Sequence, residues 1–129
     1  MRILLDTNAY AAWKRGEPGM LGIVRRAEAI VVSVVVAGEL QLGVRQGSRF
    51  DRNMAEFGEF LESPYVTVLP ITLTTADRFG RIAAALRKKG SPIPTNDIWI
   101  AAHALESGTE LISYDQHFAQ IDGLVWSSP

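Results

Sequence analysis

Four short apolar runs, RILL at Arg2–Leu5, IVVS at Ile30–Ser33, VTVL at Val66–Leu69 and ELIS at Glu110–Ser113, are each separated from the next by stretches of helical periodicity. That alternation constrains the fold more than any other feature of the chain. Strands joined through helices pair in parallel by right-handed crossovers, and a parallel sheet is covered by helices on both faces. The runs carry little polar alternation, as strands buried on both sides require. With a further strand candidate at Leu124–Trp126, the expectation is an α/β fold of three layers, α/β/α, around a mostly parallel twisted sheet of four to five strands.

The intervening segments read as helices. Thr7–Lys14 ends before Gly16, and Pro18–Ala29 begins with proline in its first turn. Val34–Gln46 follows, then Ser48–Glu62 with Phe50, Met54, Phe57 and Leu61 at three-to-four spacing. Thr74–Lys89 should bury Ala76, Phe79, Ile82, Ala83 and Leu86 and stop at Gly90; Asn96–Ser107 should stop before Gly108. At 129 residues with no linker or repeat, residues 1–129 are expected to form one domain. Cysteine is absent, which excludes disulfides and thiolate metal sites and favours a cytoplasmic location. No run approaches the roughly 20 apolar residues of a membrane span, and MRILLDTN lacks the features of a leader, so Met1 is expected to begin the fold.

In parallel α/β sheets, ligands bind at the carboxyl ends of the strands. Asp6 directly follows the first strand, and Asp115 follows the fourth closely. Asp97 opens a helix that reads Ile98, Trp99, Ile100, Ala101, Ala102, Ala104 and Leu105, which should be buried on nearly every face. Glu39 shares a helical stripe with Val35, Val36, Leu42 and Gly43, so it is expected to point toward the core with no basic residue three or four positions away. Taken singly, each aspartate is also a natural helix N-cap. Capping does not account for the combination, because acids gathered at one sheet edge repel each other unless a cation compensates. Hard carboxylate oxygens suit Mg²⁺ or Mn²⁺, cations that engage phosphates. His103 and His117 are taken as ordinary polar residues. Net charge is −1, so composition does not advertise nucleic-acid binding, although clustered acids would mask basic residues elsewhere.

The segments LLDTN, VSVVVAGELQLGV, IPTNDIWIAAHAL and LISYDQHFAQIDGL, in this order across nearly the whole chain, resemble the PIN-domain ribonucleases, most closely the VapC-type toxins of toxin–antitoxin pairs. The resemblance implies a PIN-like fold. It also implies that Asp6, Glu39, Asp97 and Asp115 form an acidic catalytic set holding Mg²⁺ or Mn²⁺, with Asp6 and Asp97 as direct ligands. Asn8, Thr95 and Ser113 stand where the family places polar groups that orient the acids. Ser113 replaces a more usual threonine, and Tyr114 occupies a position where small or basic residues are commoner.

The activity implied is endoribonucleolytic hydrolysis of RNA phosphodiester bonds by a metal-activated water, leaving 5′-phosphate and 3′-hydroxyl ends. Substrates of such enzymes are structured RNAs, transfer RNA or ribosomal RNA. Lys14, Arg15, Arg45, Arg49 and Arg52 are the candidate RNA contacts. The implied partners are a VapB-like antitoxin and a second copy of the chain, giving a homodimer and a toxin–antitoxin hetero-oligomer. An antitoxin segment would fill a groove, for which Phe50, Phe57 and Phe60 are candidates if they are not core, and would send an arginine toward the acids. The alternative is a catalytically silent PIN-like module that binds RNA or protein, which retention of all four acids disfavours.

Overall fold

The computed structural model describes residues 1–129. Its strands are β1 (Arg2–Leu5), β2 (Ala29–Ser33), β3 (Val66–Leu69), β4 (Glu110–Ile112) and β5 (Trp126–Ser127). Its helices are α1 (Thr7–Lys14), α2 (Pro18–Arg26), α3 (Val34–Gln46), α4 (Phe50–Glu62), α5 (Leu73–Lys89) and α6 (Thr95–Ser107), with a 3-10 turn at Gln116–Gln120. The five strands form one sheet in the order β3-β2-β1-β4-β5, and every neighbouring pair is parallel. This is the α/β architecture expected from the alternation of strands and helices.

The two-residue period of a strand divides the core. Ile3 and Leu5 of β1 face one side of the sheet with Ile30, Val32 and Ile112, where they meet Tyr10, Met20, Phe57 and Phe60. Leu4, Val31 and Leu111 face the other side, against Ile82 and Leu86 of α5, Ile98 and Ile100 of α6, and Phe118. The layers are therefore α1, α2 and α4 on one face and α5 and α6 on the other. Left-handed glycines end both helices of that second layer: Gly90 at φ +70° closes α5 and Gly108 at φ +65° closes α6, a conformation disfavoured for residues with a Cβ.

Several expectations need correction. β3 is an edge strand, not one buried on both sides, and Val68 is 40% exposed. α2 stops at Arg26 because Ala29 is already committed to the sheet, opposite Arg2. α4 starts at Phe50, two residues later than expected, while α5 and α6 each start one residue earlier. The last strand lies at Trp126–Ser127, displaced toward the C-terminus from Leu124–Trp126. Ala76 is exposed, and Leu42 is 58% exposed, so the stripe assumed to carry Glu39 into the core faces solvent at its far end. Phe57 and Phe60 are buried core residues, leaving only Phe50 of the three groove candidates exposed. No helix is long and apolar enough to cross a membrane.

The contrast between α6 and α3 can be measured. Ile100→Ala, at a fully buried position, should lower unfolding free energy by about 2–5 kcal/mol in urea denaturation. Leu42→Ala should stay within about 0.5 kcal/mol of wild type, as surface substitutions usually do.

Candidate metal centre

Parallel pairing puts all carboxyl ends of the strands at one edge. The chain leaves β1 toward β2 and β3, then returns to add β4 on the opposite side of β1. This reversal opens a crevice between the ends of β1 and β4, the usual ligand position in open α/β sheets. Asp6 and Asp115 lie there because each follows one of those two strands.

Asp6 is 3% exposed and is the N-cap of α1, one oxygen accepting from the Ala9 N–H at 2.9 Å. Its other oxygen accepts from the Ser113 hydroxyl at 2.5 Å. Ser113, fully buried just past β4, also accepts from the Asp115 N–H at 3.0 Å. The indole N–H of Trp126 donates to the Ser113 carbonyl at 3.1 Å, so β5 holds this residue in place. One hydroxyl thus ties two of the acids together across the crevice.

Glu39 comes from α3 and is half-buried. Its carboxylate does not enter the apolar core: one oxygen accepts from the Thr7 hydroxyl at 2.7 Å, the other from the Asn96 amide at 3.4 Å. Asp97 is third in α6, after the N-cap Pro94, and makes no side-chain cap. Its carboxylate sits within the first turn, where the positive end of the helix dipole favours negative charge. The 3-10 turn places His117 Nε2 2.9 Å from Asp97 Oδ2. That is ion-pair distance without hydrogen-bond alignment, and the nitrogen, screened from solvent, makes no hydrogen bond. Asp115 caps the 3-10 turn through its backbone alone.

These residues enclose a cavity of about 480 Å³ with no hydrophobic residue in its wall. Asp6, Glu39, Asp97 and Asp115 share it with the predicted Asn8 and Thr95, and Thr7, Pro94 and Asn96 complete it. Ligand atoms of Asp97, Asp115 and His117 all lie within 4.8 Å of one another. The cluster can hold a metal ion, and its mostly carboxylate donor set fits a hard divalent cation.

The basic residues divide differently. Arg15 lines a neighbouring cavity of about 350 Å³ with Glu17 and Tyr114, and Asn8 belongs to both cavities. Lys14 lies over the Trp13 ring at 4.6 Å. Arg45 sits over Phe50, Arg49 precedes α4, and Arg52 pairs with Glu56 at 3.3 Å; none of the three lines the acidic cavity. Sequence reasoning did not single out Thr7 or Asn96, and it takes His117 as an ordinary polar residue. The first two adjoin predicted residues in DTN and PTND, a usable signal, whereas His117 depends on a turn with no periodicity to detect. His103 is the structural residue expected: its ring is fully buried and engages the Ser33 hydroxyl at 2.8 Å and the Pro70 carbonyl at 3.0 Å.

Burial dominates the electrostatics. Desolvation raises the Asp6 carboxyl above the ordinary 3.8; the donors Ser113 and Ala9 oppose this, and the charges of Asp115 and Glu39 add to it. Asp97 is also raised, first by desolvation, with His117 pulling it down and Asp115, Glu39 and Asp6 pushing it up.

A family model for the PIN domain matches residues 3–124. Ribonuclease VapC2 of Haemophilus influenzae is 34% identical over 115 residues, 88% of this chain and 86% of that protein. Ribonuclease VapC5 of Mycobacterium tuberculosis is 27% identical over 120 residues, covering 93% and 87% of the two chains. Among solved structures, VapBC-1 from nontypeable Haemophilus influenzae matches with a TM-score of 0.87 at 28% identity, covering 99% of this chain and 98% of that one.

The raised carboxyls set a pH dependence. A folded pKa above the unfolded value contributes stability that is complete below the unfolded pKa and lost as pH rises through the folded pKa. Metal-free Asp97→Asn should therefore be more stable than metal-free wild type at pH 7, as read from urea midpoints in chelator. The difference should shrink on acidification toward the ordinary aspartate value of 3.8.

Proposed function

The chain belongs to the PIN-domain family, alongside the VapC ribonucleases, and on that footing we propose that it is a metal-dependent endoribonuclease acting as the toxin of a toxin–antitoxin pair. The observation that carries this is the convergence of Asp6, Glu39, Asp97 and Asp115 on one wholly non-hydrophobic pocket at the carboxyl edge of the sheet. A structural cap has no need of four acids, and their mutual repulsion calls for a cation.

We assign the metal as Mg²⁺ or Mn²⁺. When bound, it supplies a lowered water pKa and neutralises charge on the phosphoryl oxygens. The chain's own residues do the rest. Asp97 and Asp115, whose carboxylate oxygens come within 4.8 Å of each other, would hold the metal together with Asp6, through the lone pairs left by its two hydrogen bonds. Thr7 and Asn96 fix Glu39, Ser113 fixes Asp6, and Asn8 and Thr95 offer polar groups at the rim. Such outer partners orient ligands and sustain metal affinity.

The substrate is RNA, of the structured transfer or ribosomal type, and the whole chain works as one domain in the cytoplasm. Arg15, in the adjoining cavity, is the foremost phosphate contact, with Lys14 beside it and Arg45, Arg49 and Arg52 contributing more remotely. Likeness to VapBC-1 supports a small VapB-like antitoxin as partner and a dimeric toxin within that assembly.

Purified protein with Mg²⁺ or Mn²⁺ should cut RNA to products with 5′-phosphate and 3′-hydroxyl ends, and chelator should stop it. Asp6→Asn and Asp97→Asn should each reduce cleavage to the chelated level in a gel assay with folding verified by circular dichroism. Equal residual cleavage by wild type and both variants would reject the nuclease assignment.

A further inference from the structure

We propose that His117 is a nitrogen ligand of the metal site and shifts its preference from Mg²⁺ toward Mn²⁺ and the later first-row divalent cations. This rests on the metal-dependent reading of the acidic pocket. It goes beyond that reading by naming a donor of a different chemical kind and a consequence for which ion is chosen.

Three observations converge on the ring. Its Nε2 is 2.9 Å from Asp97 Oδ2, and one ligand atom each from His117, Asp97 and Asp115 lie within 4.8 Å of one another. Around an octahedral ion with bonds of about 2.1 Å, neighbouring donors lie about 3 Å apart and opposed donors about 4 Å apart, so these three atoms need only small adjustments to share one ion. The same nitrogen is screened from solvent and meets its one carboxylate neighbour, Asp97, without hydrogen-bond alignment. A buried polar atom left in that state is a free-energy cost that most folds avoid. A metal bond would remove it. The ring is also held in place: it packs edge-on against Phe118 with centroids 4.8 Å apart, and Phe118 is fully buried.

Imidazole and carboxylate donors favour different ions. Carboxylate and water sites suit Mg²⁺, Ca²⁺ and Mn²⁺, whereas imidazole nitrogen suits the later transition metals, whose affinities rise from Mn²⁺ through Co²⁺ to Ni²⁺. Adding one nitrogen to an oxygen set should help Co²⁺ strongly, Mn²⁺ moderately and Mg²⁺ least. The chain's composition makes this easy to isolate. It has two histidines, and both ring nitrogens of His103 are engaged by Ser33 and Pro70 in the buried core. A metal–nitrogen signal from histidine in the untagged protein therefore belongs to His117.

The test is pulsed electron paramagnetic resonance on the full, untagged chain loaded with Mn²⁺. Wild type should display nitrogen coupling that changes when histidine carries the heavier nitrogen isotope and disappears in His117→Gln, with Mn²⁺ still bound. In calorimetry, His117→Gln should weaken Co²⁺ binding by about tenfold or more, the scale on which even outer partners of ligands act, while Mg²⁺ binding changes less. Mn²⁺ bound by wild type without histidine coupling overturns the inference and leaves the acidic metal site standing; His117 would then be only a counter-charge to Asp97. Failure of wild type to bind Mn²⁺ overturns both. Equal weakening of Co²⁺ and Mg²⁺ in the variant rejects the shift in preference. The isotope result on wild type decides the ligand assignment even if the variant does not fold.

Discussion

Parallel pairing of β4 beside β1 is the constraint on which the rest of the site depends. It brings residues more than a hundred positions apart in sequence into register, Leu5 opposite Ile112, so that Asp6 and Ser113 emerge together at the sheet edge. The Ser113 hydroxyl then has one proton to give and a lone pair to offer. It gives the proton to Asp6 and accepts from the Asp115 backbone. Slipping β4 by one residue would turn Ser113 to the opposite face of the sheet and dissolve both bonds. The register of a three-residue strand is held by Trp126 from the far side, and by the apolar residues Leu111 and Ile112, which commit to opposite faces.

The acidic pocket works against the fold that carries it. Asp6 and Asp97 are raised chiefly because they are withdrawn from water, and their neighbours are further carboxylates. A charged metal-free site therefore opposes folding at neutral pH, and the two-sided apolar core offsets it. Asp6 shows how one residue can serve both ends. One of its oxygens caps α1, a contribution typically worth about 1 kcal/mol, while the other takes part in the acidic set. Capping and ligation, which compete as explanations when only the sequence is considered, are compatible in a carboxylate.

What could be read from the sequence was local. Asp6 and Asp115 are recognisable because each follows a strand, and Asp97 because it begins a strongly apolar helix; all three fall on the crevice. Features set by partners far along the chain were not legible. VTVL has the composition of a central strand, but its place at the edge follows from the order of crossovers, which no residue of β3 encodes. A continuous buried stripe along α3 would carry Glu39 into the core. The helix instead crosses from core to solvent along its length, leaving Leu42 exposed and Glu39 between the two environments. The thirteen-residue α4 has two faces, and its spacing alone did not say that Phe60 would join Phe57 and Tyr10 in the core. His117 reads as an ordinary polar residue in the sequence for a related reason: a 3-10 turn has neither the helix period nor the strand period.

The apolar character of α6 finds its purpose in rigidity. Ile98, Ile100, Ala101, Ala102 and Ala104 are buried, and the small alanines permit close approach to the sheet. On this helix the buried His103 is the polar exception. The Pro70 carbonyl can only accept, so Nε2 donates to it, while Nδ1 meets the Ser33 hydroxyl. Ser33 in turn caps α3 by accepting from the Val35 N–H. A single imidazole thereby joins α6, which holds Asp97, to the start of α3, which holds Glu39. Neither acid touches His103, yet the spacing between their two helices is fixed through it. The positions of Asp97 and Glu39 relative to each other thus rest on two links between α6 and α3, this hydrogen-bond network inside the core and the Asn96–Glu39 contact at the pocket.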